Sequence, residues 1–336
     1  MRGKFGEHQT VRSILKSLPA TNNRDVQRAG IGDDYARLLF HSEEAYGGLQ
    51  KLIGLNVATG SITTATDIDM ELDVARLYNS IRIGGFIPWG ATDMLIVPDS
   101  DERAMKRLLK RLALRCSRYG IDIVHGHTEV NTSVSEPVVC LTVFGKPQHG
   151  RFDVPTGKTF NTAERKKESY DIVMCGQAGL GGTLSLYYNN REGLEKRYSQ
   201  SYLHPVERLS GMLALDSQAD IAIDHGVIYC HDISRGGVYA ALWELGDALK
   251  TGFEVCHGSI PILQETIEIC EYTGDNPYMI DGCGGAIFVT KDGQKLADLL
   301  YEEGYEAAVI GVLKEGMDRV VVHEDERRFL TPPRFI

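Results

Sequence analysis

No run of about eighteen consecutive apolar residues occurs, the length a membrane-spanning helix needs, and the opening stretch "MRGKFGEHQTVRSILKSLP" has no apolar signal core. Neither a spanning segment nor a secretory leader is expected. There is no Cys-x-x-Cys pair, and the seven cysteines are an odd number. That usage fits free thiols in a reducing cytosol rather than a disulfide framework, so a cytoplasmic protein is expected. Basic charge is also scarce. Against 46 Asp and Glu there are 36 Lys and Arg, a net charge of −10, which excludes a general nucleic-acid or anionic-membrane binder. Short-period repeats and low-complexity tracts are lacking as well. What remains is an ordinary globular composition, 43% apolar and 24% charged over 336 residues, long enough for two compact domains.

The pattern of elements divides the chain in two. Residues 7–18 read as a helix with Val11, Ile14, Leu15 and Leu18 on one face and Pro19 ending it. "LIGLNVATGSITTATDIDM" reads as two successive strands, with Asp67 and Asp69 near the end of the second. There follow an apolar, glycine-broken helix ("VARLYNSIRIGGFIPWGA"), the strand "DMLIVP", a basic helix, and the strands "IDIVHGH" and "PVVCLTVFG". In the basic helix, "RAMKRLLKRLALRCSR", a stripe of Met105, Leu108, Leu109, Leu112 and Cys116 predicts the buried face, and Lys106, Arg107, Lys110 and Arg111 the solvated one. These elements make an N-terminal domain over 1–150. The polar, Pro- and Gly-bearing stretch 151–168 reads as a linker. Residues 169–336 alternate strands and helices as a second, mixed α/β domain.

Four stretches have the residue types for chemistry. "AGIGDDYARL" sets Asp33 and Asp34 side by side after a Gly-x-Gly turn, and with Asp67 they supply hard oxygen ligands of the kind Mg²⁺ takes alongside phosphate; a solvated turn is the plainer alternative. "CGQAGLGGT", 175–183, joins a strand to a helix and presents Gly179, Gly181, Gly182 and Thr183 where backbone N–H groups meet an anion, or where a tight turn needs glycine. It matches neither a Walker loop nor a dinucleotide fingerprint. "HDISRGG", 231–237, offers Asp232 or Ser234 as a helix cap and Arg235 as a grip on phosphate or carboxylate. "HGHTEV" puts His125 and His127 on one face of a strand, where Zn²⁺ or another borderline metal is an option beside ordinary polar roles.

The order of these motifs resembles the aminoimidazole-ribonucleotide-synthetase-like (PurM-like) superfamily, which includes thiamine-monophosphate kinase, selenophosphate synthetase and the hydrogenase-maturation protein HypE. "FGEHQTVRSIL" with "GIGDDYARL" is similar to the opening of thiamine-monophosphate kinases. "MCGQAGLGGT", "HDISRGGVYAALWEL", "IPILQETIEIC", "DNPYMIDGCGGAIFV" and "AAVIGVL" resemble the second half of HypE.

The resemblance implies an α+β to α/β two-domain fold: a homodimer whose N-terminal domains each give half of a shared β-barrel, with a C-terminal α/β domain completing the cleft. It implies an enzyme using ATP and Mg²⁺ to phosphorylate an oxygen of a small-molecule or protein-borne substrate. Asp33, Asp34 and Asp67 would hold metal and phosphates, Gly179 to Thr183 would donate backbone N–H groups, and Asp232 and Arg235 would act on the substrate.

This chain departs from the pattern at three places. Gly84-Gly85 precedes Trp89-Gly90-Ala91 where the family carries an Asp, and His127 replaces a carboxylate. The chain also ends "TPPRFI", with Arg334 but without the Cys of HypE, which disfavours carbamoyl-to-nitrile chemistry. Mn²⁺ or Zn²⁺ in place of Mg²⁺, or a non-catalytic nucleotide- or metabolite-binding relative, are the readings those departures leave open. Cys283 reads as a small residue in a tight turn, with a reactive thiol as the alternative.

Overall fold

The computed structural model describes residues 26–27, 34–46, 49–148 and 168–332. The helix expected over 7–18, Asp33, the core of the expected linker and Arg334 lie outside them. Contacts divide the chain into an N-terminal unit built mainly from residues 34–153 and a C-terminal unit that includes residues 154–336.

The N-terminal unit holds a six-stranded sheet ordered β1-β2-β3-β6-β4-β5. Its strands are β1 (Val26–Gln27), β2 (Ala36–Tyr46), β3 (Leu49–Ile62), β4 (Phe86–Val97), β5 (Asp122–Val130) and β6 (Val138–Pro147). Only β4 and β5 pair in parallel, as the crossover through a helix between them requires. Two helices, α1 (Asp67–Arg82) and α2 (Glu102–Arg118), join these strands. They pack on one face of the sheet through Met70, Val74, Leu77 and Ile81 of α1 and Leu108, Leu112 and Cys116 of α2, against Phe86, Ala91, Leu95, Leu141 and Val143. The apolar stripe expected for the basic helix is therefore its packing face. The sheet is open, so the expected barrel half is not a closed structure within this chain.

Two expectations are corrected here. The stretch expected to be two strands is one long strand followed by a helix that begins at Asp67. Thr66 caps it, its Oγ1 accepting from Asp69 N at 3.1 Å while also lying 2.6 Å from the Asp69 carboxylate, so a threonine N-cap overrides the β-branched run before it. The glycine-broken helix instead stops at Arg82, and Phe86–Val97 is a strand. Gly85, at φ 74°, makes the turn between them.

The C-terminal unit is a seven-stranded sheet ordered β13-β12-β9-β11-β7-β10-β8. Its strands are β7 (Asp171–Cys175), β8 (Tyr229–Ile233), β9 (Gly252–Cys256), β10 (Gly285–Thr290), β11 (Ala307–Lys314), β12 (Arg319–His323) and β13 (Glu326–Phe329). The helices that bear on the site are α3 (Leu180–Asn189), α4 (Arg191–Arg197), α5 (Gln200–Arg208), α6 (Ser217–His225), α7 (Gly237–Leu249), α8 (Gln264–Thr273) and α9 (Gly293–Glu302). Val238, Ala241, Leu242, Leu245 and Leu249 of α7 pack on Tyr229, Ile233, Phe253, Val255, Ile287 and Val289 of the sheet. β9 and β13 are strands beyond those the sequence pattern predicts. Both are short, and β13, "ERRF", is exposed at every position, so it carries no alternation to read.

Candidate functional site

Asp34, half-buried, stands in the bend just before β2. Behind it Tyr35 and Arg37 build a buried polar corner: Arg37 Nε donates to Asn56 Oδ1 at 3.0 Å, one of its terminal nitrogens lies 3.3 Å from the Tyr35 hydroxyl, and the guanidinium sits 5.0 Å from the Phe86 ring centroid. Gly84 closes this corner. A Cβ there would fall 2.5 Å from the Tyr35 ring and 2.7 Å from Asn56 Nδ2. The acidic residue that the family pattern puts near Gly84-Gly85 therefore has no room at Gly84 and would need a left-handed backbone at Gly85.

Asp67 occupies the first turn of α1, not a strand end. Arg111 Nε donates to its Oδ1 at 2.7 Å, and Arg115 lies 3.0 Å from Oδ2. Arg118 pairs in turn with the buried Glu71 at 3.0 Å. Arg111, expected on the solvated face of its helix, is thus turned to a carboxylate. The Arg111 hydrogen bond, with Arg115 behind it, holds the Asp67 carboxyl below its usual range. Each oxygen of Asp67 is engaged by a guanidinium group, which sets positive charge beside the carboxylate and opposes a divalent ion there.

Asp93 of β4 is 9% exposed and points at the helices: in the β4–β5 register it lies opposite Gly126, whose missing Cβ is the space its carboxylate fills. Burial pushes its carboxyl up. Because Gly126 faces the helices, His125 and His127, one position to each side, face away from them, as the period-two reading required. His127 is exposed and lies 3.7 Å from Glu129. Asp67 and His127 are therefore on opposite faces of the sheet. Among the described residues no three His, Cys, Asp or Glu side chains gather as a metal site, and the described part of the expected donor set does not fit Mg²⁺.

In the C-terminal unit, α3 and α7 both begin at left-handed glycines, Gly179 (φ 68°) and Gly236 (φ 89°), with no side-chain cap. The 276–283 loop lies against the first turns of both helices. Gly182 N donates to Asp281 O at 2.7 Å, Tyr239 N to Tyr278 O at 3.3 Å, and Gly282 N to Ser234 O at 3.1 Å. A Cβ at Gly179 would meet Pro277 O at 2.6 Å, and one at Gly182 would meet Ile280 Cβ at 2.7 Å. Thr183 is fully buried, its Oγ1 donating to Gly179 O with Thr266 Oγ1 also 2.8 Å away. Gly182 and Thr183, expected to face an anion, are committed to this close packing, and Gly181 is buried with them.

Asp232 is buried on β8, opposite Ala286. Arg235 is half-buried in the turn that leads to α7. The neighbouring His231, missed by the motif reading, is 3% exposed and its Nε2 lies 2.8 Å from Glu244 of α7. Its signal in sequence is a histidine and a glutamate separated by a strand-to-helix turn, which nothing distinguishes from solvated polar residues. Cys283 is 1% exposed with its N–H donating to Asp281 Oδ1 at 2.8 Å, the tight-turn arrangement.

Known proteins follow the same plan. The model for the N-terminal domain of AIR synthase related proteins matches residues 72–146, and that for the C-terminal domain matches 172–324. A hydrogenase expression/formation protein of Methanocaldococcus jannaschii is 22% identical over 260 residues, covering 75% of this chain and 72% of the relative. HypE in its complex with HypF superposes with a TM-score of 0.68 at 16% identity, covering 96% of this chain and 99% of that one. AaThiL complexed with AMPPCP and TMP superposes with a TM-score of 0.65 at 17% identity, covering 98% and 96%. With both family domains matched in order, this chain belongs to the AIR synthase related proteins and has their PurM-like fold.

Proposed function

We propose that this chain binds ATP and transfers its terminal phosphoryl group to an oxygen of a small-molecule or protein-borne substrate. The observation that carries the reading is the fold's correspondence, over 98% of the chain, with a relative complexed with the ATP analogue AMPPCP. Asp34, with Asp33 before it, would meet the phosphates only through a divalent cation held between them, since carboxylate and phosphate repel each other. Asp232 would orient the accepting group, and the Arg235 guanidinium would meet charge that builds on the transferred phosphoryl, the electrostatic work this chemistry demands. Asp67 is clamped by Arg111 and Arg115 and His127 lies on the other face of the sheet, so no step is routed through that cation.

A second copy is the partner we propose for the sheet face turned away from the helices. Trp89, Met94, Val124 and Val138 are 44%, 41%, 61% and 42% exposed, a patch of the kind that marks an interface. Among the described residues no helix is long and apolar enough to cross a membrane.

A second reading has its own observation. The arginine clamp on Asp67 and the closed corner at Gly84 leave the metal set incomplete, which favours a nucleotide- or metabolite-binding protein that does not turn ATP over. Calorimetric titration of ATP into metal-stripped protein, alone and with Mg²⁺, Mn²⁺ or Zn²⁺, tests both. Binding that is lost in Asp34→Asn, with ADP formed in the presence of a substrate, is the expected result. Binding with no ADP across a broad substrate panel selects the second reading, and no binding under any condition overturns both.

A further inference from the structure

Helix α2 carries positive charge on two sides, and the chain answers only one of them. Its 17 residues hold Arg103, Lys106, Arg107, Lys110, Arg111, Arg115 and Arg118 against a single acid, Glu102. Arg111, Arg115 and Arg118 turn to α1, where Asp67 and Glu71 pair with them. Arg103, Lys106, Arg107 and Lys110 are exposed, and among the described residues none of these four belongs to an ion pair.

Their spacing of i, i+3, i+4 and i+7 places the four within an arc of about 100°, opposite the buried Leu108, Leu112 and Cys116. Leu114, one turn past Lys110, falls in the same arc and is 54% exposed. The result is a stripe about 16 Å long, four cations followed by an apolar tip.

Helix stability does not account for this stripe. Arg103 with Arg107, and Lys106 with Lys110, are like charges four residues apart, which weakens a helix, and Arg103 stands in the first turn, where the dipole disfavours a cation. A face built for stability sets opposite signs four apart, as Arg191 and Glu195 do in α4. Solubility does not account for it either. The chain is at −10, so unpaired cations reduce the net charge that keeps copies apart. Attraction to an anionic partner accounts for all four.

The ends of the stripe select the partner. Asp99, Asp101 and Glu102, all exposed, stand at its start, so a long polyanion laid along α2 runs onto carboxylates of its own sign. The helix has no aromatic side chain, so a nucleic-acid base finds no ring to stack on. A short acidic segment fits better, with acids over two turns facing the cations and an apolar residue one turn further covering Leu114.

We propose that the outer face of α2 docks an acidic amphipathic helix of a partner protein, its carboxylates on Arg103, Lys106, Arg107 and Lys110 and an apolar side chain on Leu114. The proposal stands apart from the nucleotide reading, because Asp34, Asp232 and Arg235 lie on other elements.

Fluorescence anisotropy of the full chain with a labelled helical peptide of about sixteen residues tests it. The peptide carries Glu at i, i+3, i+4 and i+7 and Leu at i+11. A second peptide has the same composition with its Glu spread around the helix, and an oligothymidylate is the nucleic-acid arm. The first peptide is expected to bind on the order of 10 μM at low salt and more weakly as salt rises, and the second roughly fivefold more weakly. Lys106→Glu with Lys110→Glu should weaken the first peptide roughly tenfold, and Leu114→Ser about threefold. Lys196→Glu with Lys295→Glu, exposed on other helices, should stay within about twofold of the parent, as should Asp34→Asn. Thermal melts check each fold, and Lys106→Gln with Lys110→Gln, which adds no new charge, carries the test if the reversed pair melts early. The proposal is overturned if the two peptides bind alike, if reversal at Lys196 and Lys295 matters as much as reversal in the stripe, or if oligothymidylate binds more tightly than the first peptide.

Discussion

The helices at the candidate sites of the two units begin by opposite means. Helix α1 of the N-terminal unit opens on Thr66, Asp67 and Asp69, with a side-chain cap and one exposed acid, Asp67, answered by arginines of α2. Helices α3 and α7 of the C-terminal unit open on left-handed glycines with no side-chain cap, and backbone carbonyls of a single loop meet Gly182 and Tyr239. Both arrangements answer the same need, since the first N–H groups of any helix have no partner inside it. One answer is polar and solvated, and it tolerates change. The other is steric and buried, and it does not.

The largest effect is therefore expected in the C-terminal unit. At Gly237, φ is 67° and a Cβ would stand 2.5 Å from both Tyr278 O and Ile280 O. Gly237→Val combines a left-handed β-branched residue with a clash against backbone, and should cost about 3 kcal/mol or more. Circular dichroism on heating would show it as a fall of many degrees in Tm. A variant melting within a degree of the parent would break the comparison, because the glycine-led helix start would then tolerate a side chain.

The same contrast explains what the sequence made legible. Apart from β9 and β13, the strands of the C-terminal unit could be located from apolar runs and glycine punctuation, since β7, β8 and β10 are buried at almost every position and read as continuous apolar segments. In the N-terminal unit the β-branched run before Asp67 imitated a strand, while the threonine cap that ends it was the better signal. Site residues were harder still. Asp67 and Gly182 stood out by residue type, yet what fixes their roles is a guanidinium more than forty positions away in one case and a loop carbonyl about a hundred away in the other, and a single chain displays neither pairing.

Smaller effects should follow at the polar start of α1. Thr66→Ala removes the cap on Asp69 N and should lower stability by about 1 kcal/mol. Asp67→Asn should cost less, about 0.5 kcal/mol, because the carboxylate is 62% exposed and its ion pairs are screened. The pH dependence separates the two. The guanidiniums lower the Asp67 carboxyl below its ordinary 3.8, so its contribution is present above that value and is lost as pH falls through the lowered one. The gap between parent and Asp67→Asn in thermal melts should thus be steady from pH 7 to 5 and close toward pH 2, and should shrink in high salt. A gap that widens on acidification would mean that the arginines do not hold this carboxylate.

A change of opposite sign, from nothing to a small gain, is expected at Asp93. Its carboxyl is raised by burial, so the folded state holds the proton more tightly than the unfolded chain does. Stability then falls as pH rises through the ordinary 3.8 toward the raised value, and stays lower above it. Asp93→Asn keeps the shape that fills the space over Gly126 and removes the buried charge, so at pH 7 it should match the parent or exceed it by no more than about 1 kcal/mol. The difference should vanish only well below the ordinary 3.8, where the carboxyl is protonated in the unfolded chain as well as in the folded one. Cys116 should feel the substitution too: burial and then the Asp93 charge push its thiol up to about 12, so Asp93→Asn should lower it. A substituted protein that is clearly less stable at pH 7 would mean that the Asp93 carboxylate is held by a cation, and the helix-facing side of the sheet, rather than the Asp67 clamp, would be where a metal should be sought.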